Sequence, residues 1–316
     1  MSNFCTLFDS SFLTRGLAMY ESLKKHCKDF QLFIFAFDEK CYQILQELKL
    51  EKAKIISLVE FETDDLKRIK KQRSRAEYCW TCTPFVIKHS IENFKLKQCI
   101  YLDADIYFFA NPKVLLEEMG EKSILITEHR YTKKYERGNR HGIYCVQFIC
   151  FKNDPNGMKA LNWWAKACLM WCYARYEDGR FGDQKYLDDW TTRFKGIHVL
   201  QNLGGGVAPW NVQQYDLSDS SFELIFYHFH QYSFLNGNRV DFGIYKLESD
   251  VIESIYKPYT KHLMSITERL KMIDSTYDFN GIVEQNILNW RQSFKKMVRR
   301  IKGIYKIYKI EDLVEE

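Results

Sequence analysis

Cys99-Ile100-Tyr101-Leu102-Asp103-Ala104-Asp105-Ile106-Tyr107-Phe108-Phe109 is the stretch that decides the fold. An apolar run ends in two carboxylates one residue apart, and apolar residues resume at once. Ile100, Tyr101 and Leu102 predict a strand covered on both faces, because such a strand needs no polar alternation. Asp103 then falls at its carboxyl end, where open α/β sheets place ligands. Carboxylates at i and i+2 repel each other and are costly to desolvate. A divalent hard cation shared with a diphosphate compensates for both effects. The plainer reading is a surface turn with two acids, and the apolar flanks argue against it.

The chain of 316 residues has room for one large domain, or one domain with an appendage. Aromatic residues make up 16% of it, enough for a large core. A net charge of +5 is too small to argue for nucleic acid. Ten cysteines lie scattered among apolar neighbours with no paired framework, which predicts a reducing cytoplasm. Met1-Ser2-Asn3-Phe4-Cys5-Thr6 lacks the charged and apolar regions of a signal peptide. No apolar run reaches transmembrane length, so any membrane contact is expected to be peripheral.

Residues 4–8 predict a first strand, Asp9-Ser10-Ser11 a break, and residues 13–27 an amphipathic helix. Strand, short polar loop and helix open a nucleotide-binding α/β unit. The loop has no GxGxxG, which argues against a dinucleotide. Asp9 either meets a ligand or caps the helix. Further strands are expected at 31–37, 54–58, 123–127, 142–151, 196–200 and 224–229. The charged stretch 64–75 reads as a solvated helix face, or else presents Arg75 to a nucleotide. The helix expected over 77–93 contains Pro84 and must kink or start late. Residues 131–141 form a basic loop, a candidate lid or an ordinary exposed loop. Gln147 stands alone among apolar residues and must bond a backbone or face a site.

Phe181-Gly182-Asp183-Gln184 opens a predicted helix, where an Asp also gains from the helix dipole. Residues 202–211 are glycine-rich but lack the Gly-Lys-Ser/Thr of a P-loop. In Tyr227-His228-Phe229-His230 the histidines share one side at strand spacing, as ligands or as core hydrogen-bonding groups.

The Asp-X-Asp closing a mid-chain strand resembles the metal site of the GT-A glycosyltransferases. The later Gly-Asp-Gln and the late histidines resemble their glycogenin-like retaining family and the bacterial transferases that build lipopolysaccharide or capsule. The resemblance spans roughly residues 1–235. It implies an α/β GT-A fold, Rossmann-like, with a mostly parallel central sheet flanked by helices. Residues 1–248 would be the transferase domain and 249–316 a basic helical C-terminal extension. It also implies Mn²⁺ or Mg²⁺ on a nucleotide-sugar donor, UDP-linked in the first instance. Asp103 and Asp105 would hold the metal, with His228 as first choice for a third ligand and His230 as second. Thr6, Phe8 and Asp9 would hold base and ribose, joined by Arg75, Asp103 and Ala104 on the nucleotide. Asp183 and Gln184 would face the donor sugar and stabilise an oxocarbenium-like state if configuration is retained. If it is inverted, Asp183, Glu128 and Asp188 are candidate general bases. The family's Phe-Asn-Ser-Gly is replaced by Tyr144-Cys145-Val146-Gln147, and its late Gly-X-X-Lys-Pro-Trp is missing, leaving the phosphate-binding Lys without a counterpart.

Residues 287–310 interleave Lys and Arg with aromatic and aliphatic residues. Such a helix suits an anionic membrane surface, or packs on the domain with its basic face in water. The expected partners are thus a nucleotide sugar, a glycan or glycolipid acceptor and the inner face of the membrane, with no nucleic acid. Two alternatives carry weight. A haloacid-dehalogenase-type phosphatase also uses Asp-X-Asp after a strand, but normally continues to Thr or Val where Tyr107 stands. A non-catalytic sugar-nucleotide or nucleic-acid binding module would use the basic C-terminus as its contact.

Overall fold

The structure, a computed structural model, describes residues 1–136, 140–284 and 290–315. In chain order the strands are β1 (Ser2–Phe8), β2 (Phe30–Ala36), β3 (Ala53–Ser57), β4 (Gln98–Leu102), β5 (Ile106–Phe108), β6 (Ile124–Glu128), β7 (Tyr144–Lys152), β8 (Ile197–Val199), β9 (Phe226–His228), β10 (Ser233–Leu235), β11 (Arg239–Asp241) and β12 (Ile307–Lys309). A seven-stranded sheet runs β3-β2-β1-β4-β7-β6-β8. β1 to β4 are mutually parallel, β7 runs against both β4 and β6, and β8 is parallel to β6.

Parallel neighbours need long crossovers. The helices Leu13–His26, Glu39–Leu48 and Arg75–Asn93 provide them between successive members of the first four strands. From β1 the chain steps outward to β2 and β3, then returns to lay β4 on the other side of β1. That reversal leaves a crevice at the carboxyl ends of β1 and β4. Asp9 follows β1 and Asp103 follows β4, so the topology alone directs both toward it.

Apolar residues cover both faces of the sheet. Phe4, Phe8, Ile100 and Leu102 enter one buried cluster. Cys5, Leu7, Cys99 and Tyr101 enter the other. This double burial is why neither β1 nor β4 alternates in polarity. The helix Arg75–Asn93 starts at a capping box, with Ser74 and Glu77 reciprocating, and carries Pro84 in its interior. The ten cysteines are free thiols.

After residue 248 the chain was expected to read as helices only. It does form the helix Lys257–Ile273, but it also supplies β12, which pairs with β11. Alternating Ile307 and Lys309 with Tyr308 satisfies a strand period as readily as a helical one in so short a segment. Leu263, Ile266 and Leu270 of that helix lie in the same buried cluster as Phe4 and Leu17. Phe229 stacks on Tyr259 with ring centroids 3.6 Å apart, and Tyr232 shares a 2.9 Å hydrogen bond with Thr260. One apolar core therefore spans residue 248.

A Leu263→Ala substitution should cost about 2–5 kcal/mol, the usual range for such a core deletion. Because the core is shared, the denaturation midpoint should fall in one cooperative transition, whether followed by circular dichroism or by tryptophan fluorescence. A separate early transition confined to the C-terminal helix would contradict a common core.

Candidate active site

The two acids of the Asp-X-Asp are placed by β4 and β5. Asp103 leaves β4, and its backbone N–H donates to the Gln147 carbonyl at 3.0 Å. Asp105 immediately precedes β5. β5 and β9 form a two-stranded antiparallel ladder that sets Ile106 opposite His228. A further bond, Phe229 N–H to the Asp105 carbonyl at 2.9 Å, locks the register beside the acids. The glycine-rich loop closes on β9 from behind, where His228 N–H donates to the Val207 carbonyl at 2.9 Å. Gly206 has φ +91°, and a Cβ there would come within 2.6 Å of the Thr127 methyl, so a side chain is excluded on both counts.

His228 Nε2 lies 3.2 Å from Asp105 Oδ1 and 3.9 Å from Asp103 Oδ2. One donor atom from each of the three residues falls within 4.8 Å of the others. His228 is almost wholly buried, whereas Asp103 keeps 30% of its side chain open to the cleft. Burial pushes the Asp103 carboxyl up, to about 6, with Asp105 adding and His228 opposing. Burial also acts to raise Asp105, but the charge and hydrogen bond of His228 overcome it and bring that carboxyl to about 2. His228 is desolvated too, yet Asp105 keeps its pKa well above the ordinary value. In the absence of a cation, His228 thus serves as the counter-charge to Asp105.

Two carboxylates and an imidazole at this separation fit a divalent cation. The imidazole favours a transition ion such as Mn²⁺ over Mg²⁺, which prefers oxygen. His228 Nδ1 has no hydrogen-bond partner among the described residues, and the neighbouring Cys145 thiol is the group that adds to its raised pKa.

His230 does not join this donor group. β9 ends at His228, and the Tyr232 N–H turns back to the Phe229 carbonyl, so strand spacing no longer holds. His230 instead stands against the Trp210 ring, 5.4 Å between centroids. Burial and the charge of His228 press its pKa down to about 4.

Asp183 comes to the same place from the other side of the sheet. It is buried, and its carbonyl accepts the Trp164 indole N–H at 2.9 Å. The segment it opens, Gln184–Leu187, is a single 3-10 turn, and the Asp183 side chain does not cap it. Burial followed by the nearby Asp103 lifts its carboxyl to about 8. Gln184 donates its amide to the His141 carbonyl at 2.5 Å and so ties this turn to the preceding loop. Glu128 ends β6, and Asp188 pairs with Lys185 at 2.5 Å.

A cavity of about 400 Å³ lies at the ends of β1 and β2. Asp9, Asp38 and Arg75 line it. Asp9 caps the turn Ser10–Phe12 through the Ser11 N–H and also pairs with the Arg75 guanidinium. Asp9 thus caps this turn and stands in the cavity lining at once. Thr6 and Phe8 do not line the cavity: Thr6 is buried within β1, and the Phe8 ring packs against Gly16. Strand alternation directs them into the core, whereas the residues after the strand face the cleft. Ala104 is buried in the turn between the two acids. Gln147 is wholly buried, with neither side-chain atom partnered among the described residues.

Residues 4–147 match the family model of glycosyl transferase family 8. Two Bacillus subtilis (strain 168) proteins, both described as uncharacterised, are similar along most of their length. YfnD is 28% identical over 274 residues, covering 83% of this chain and 88% of its own. YfnF is 27% identical over 301 residues, covering 90% and 98%. The crystal structure of the galactosyltransferase LgtC is similar in fold, with a TM-score of 0.54 at 10% identity, over 83% of this chain and 95% of that one. The architecture is GT-A. Its Asp-Asp-His group is a candidate metal site.

The aromatic that ends the glycine-rich loop, Trp210, meets both histidines, and sequence reasoning passed over Arg15, a buried guanidinium that helps keep Asp105 ionised. Arg15 had a detectable signal, a cation within an otherwise apolar helix face.

The raised pKa of Asp183 has a consequence for stability. An acid that holds its proton more tightly when folded stabilises the fold at low pH. That contribution is lost as pH rises from 3.8, its ordinary value, through about 8. Asp183→Asn in the metal-free protein should therefore flatten the fall in Tm across this window and leave the variant more stable than wild type at pH 8. The gain should reach several degrees, since each ~1 kcal/mol moves Tm by roughly 2–4 °C in domains above about 150 residues. Thermal melts at intervals from pH 4 to 9 test this, and an unchanged slope in the variant counts against Asp183 as the titrating group.

Proposed function

We propose that this chain is a metal-dependent hexosyltransferase. It moves a sugar from a nucleoside diphosphate sugar, UDP-linked in the first instance, to a glycan or glycolipid acceptor in bacterial surface polysaccharide synthesis. The observation that carries the reading is the convergence of Asp103, Asp105 and His228 at the crevice between β1 and β4, within a family 8 match. LgtC, a galactosyltransferase solved with donor and acceptor sugar analogues, shares the fold.

In this reading Asp103, Asp105 and His228 hold a divalent cation, Mn²⁺ in preference to Mg²⁺. A cation bound there supplies electrostatic stabilisation for charge developing on the departing diphosphate, worth several kcal/mol. The nucleoside occupies the cavity beside Asp9 and Arg75. Asp183 lies beside Asp103, on the side where the donor sugar would meet the sheet. Its carboxyl can donate a hydrogen bond to a sugar hydroxyl while protonated. Once ionised it can offset oxocarbenium-like charge in a retaining reaction, or accept the acceptor's proton in an inverting one. Gln184, tied to His141, holds this turn in place.

The same reading places the enzyme on the cytoplasmic face of a membrane. No helix among the described residues is long and apolar enough to cross one. The helix Trp290–Ile301 exposes Phe294, Met297 and Ile301. Their i, i+3, i+7 spacing sets them on one face. Arg299, off that stripe, is held to Asp241 by two 2.6 Å hydrogen bonds. An apolar stripe flanked by basic residues suits an anionic lipid surface. Residues 287–289 of the expected basic stretch fall outside the described residues.

The donor test is a panel of UDP-, GDP- and ADP-sugars, with thermal stabilisation and slow hydrolysis measured with and without Mn²⁺. A UDP-sugar should raise Tm only when Mn²⁺ is present, and Asp105→Ala should abolish that rise and lower turnover by at least about 100-fold, the loss expected when a main electrostatic contact to the leaving group goes. Equal stabilisation of the variant would contradict the role given to Asp105. For the membrane contact, Phe294→Asp with Ile301→Asp should reduce co-sedimentation with phosphatidylglycerol vesicles and leave sugar-nucleotide hydrolysis unchanged. Full retention of vesicle binding would remove this helix from the interface.

A further inference from the structure

The C-terminal part of the chain reaches back over the first strand-to-helix loop. Residues after the helix Lys257–Ile273 cross the start of the helix Leu13–His26 and are fastened there at several points. Asn280 accepts from the Thr14 hydroxyl at 2.7 Å through Oδ1 and from the Arg15 guanidinium at 2.9 Å through its carbonyl. Gly281 has φ +61°, and a Cβ there would sit 3.0 Å from the Ser11 carbonyl, so the strap lies directly on the loop. At its near end Asp274 pairs with Lys40 at 2.6 Å and accepts from the Thr276 N–H and hydroxyl. Between these fastenings Tyr277 is carried into the wall of the cavity that Asp9 and Arg75 line.

The placement of that ring is constrained. The Tyr277 and Ser10 hydroxyl oxygens are 2.5 Å apart, and Ser10 is in turn held by Asp38 through its N–H at 3.0 Å and its hydroxyl at 2.7 Å. Phe279 packs on the ring at 5.0 Å between centroids, and the Lys40 ammonium stands 5.5 Å from its centroid. Even so, Tyr277 keeps 36% of its surface exposed. A tyrosine fixed at its hydroxyl and flanks, partly exposed and lining the cavity, is pre-organised for a flat partner. Phe37 and Tyr78 add further aromatic lining.

We infer that Tyr277 is a base-contacting residue of the donor site, its ring forming the stacking wall for the nucleobase, with the Lys40–Asp274 pair as the latch that positions it. This rests on the proposed binding of a nucleoside diphosphate sugar, and it adds a determinant from a segment more than 260 residues along the chain from the loop it closes. Stacking on an aromatic face is tolerant of base identity, because every base has a π-face. Tyr277 therefore accounts for affinity toward the nucleoside part, and polar groups such as Asp9 are left to discriminate between bases. Lys40 is a positioning residue, since it acts on the ligand only through the strap.

The test separates base from diphosphate. Affinities for UDP, GDP, ADP and inorganic pyrophosphate are measured with Mn²⁺ by calorimetry on the full chain, for wild type, Tyr277→Phe, Tyr277→Ala and Lys40→Ala. Wild type should bind at least one nucleoside diphosphate more tightly than pyrophosphate. For that nucleotide Tyr277→Ala should lose about 5- to 150-fold in affinity, the span reported by stacking losses of roughly 1–3 kcal/mol per base. Tyr277→Phe, which keeps the ring, should lose far less, and Lys40→Ala should fall between the two. Pyrophosphate affinity should be the same in all four proteins, which also shows that the variants are folded. Unchanged nucleotide affinity in Tyr277→Ala, or equal losses for nucleotide and pyrophosphate, would overturn the assignment and leave the transferase reading standing. If wild type binds no nucleoside diphosphate with Mn²⁺, the proposed function falls and the assignment with it.

Discussion

The β5–β9 ladder is the constraint on which the site depends. Three residue pairs, Ile106 with His228, Tyr107 with Tyr227 and Phe108 with Phe226, hold an imidazole against two carboxylates that would otherwise repel each other. The ladder is too short to be stable in isolation. It persists because its back is buried: Phe108 and Phe226 lie in the main core, and Tyr227 and Phe229 pack on Tyr256 and Tyr259. A one-residue slip would turn His228 away from Asp105 and bring Tyr227 into its place. Register therefore sets the geometry of the candidate metal site as well as the packing.

The electrostatics follow from that packing. Asp105 and His228 stabilise each other's charged forms at 3.2 Å, while Asp103, farther from the imidazole and beside a second acid, is drawn toward its neutral form. Asp183, more deeply enclosed, is drawn further still. Three carboxyl groups thus hold their protons with different strength: burial acts to raise all three, His228 outweighs it at Asp105 and only opposes it at Asp103, and Asp103 adds to it at Asp183. A cation entering the group would replace His228 as the main counter-charge and draw Asp103 into its ionised form.

The central sheet was legible because burial on both faces leaves a plain mark, an apolar run that does not alternate, and Ile100-Tyr101-Leu102 bears that mark. The position of Asp103 followed from the strand, whereas the expected strand over 224–229 keeps both histidines on one side, and only the structural end of β9 at His228 separates them. What could not be read was set by contacts distant in sequence. Resemblance groups Thr6 and Phe8 with Asp9, although the strand end at Phe8 separates residues turned into the core from Asp9, which lines the cavity. The segment 307–309 carries too few residues to tell strand from helix, and only its pairing with β11 decides. Tyr277 gave no signal, since nothing local distinguishes it from the other tyrosines, and its location depends on where the helix Lys257–Ile273 lets go of the core.

Both halves of the cleft therefore lean on the last quarter of the chain. The metal side does so through the aromatic backing of β9 by Tyr256 and Tyr259. The cavity side does so through the strap that carries Tyr277 to Ser10. A family match that ends at residue 147 contains the two acids and most of the sheet but neither of these supports. The helix Lys257–Ile273 is the mechanical link between them, its apolar face holding β9 and its carboxyl end releasing the strap. Its neighbour, the basic helix Trp290–Ile301, is joined to β11 through Arg299 and Asp241, and β11 pairs in turn with β10, which follows β9 closely in the chain. These contacts tie the outer helix to the small sheet that follows the strand carrying His228. Metal-site geometry and the surface of the C-terminal region are in that sense parts of one packed unit.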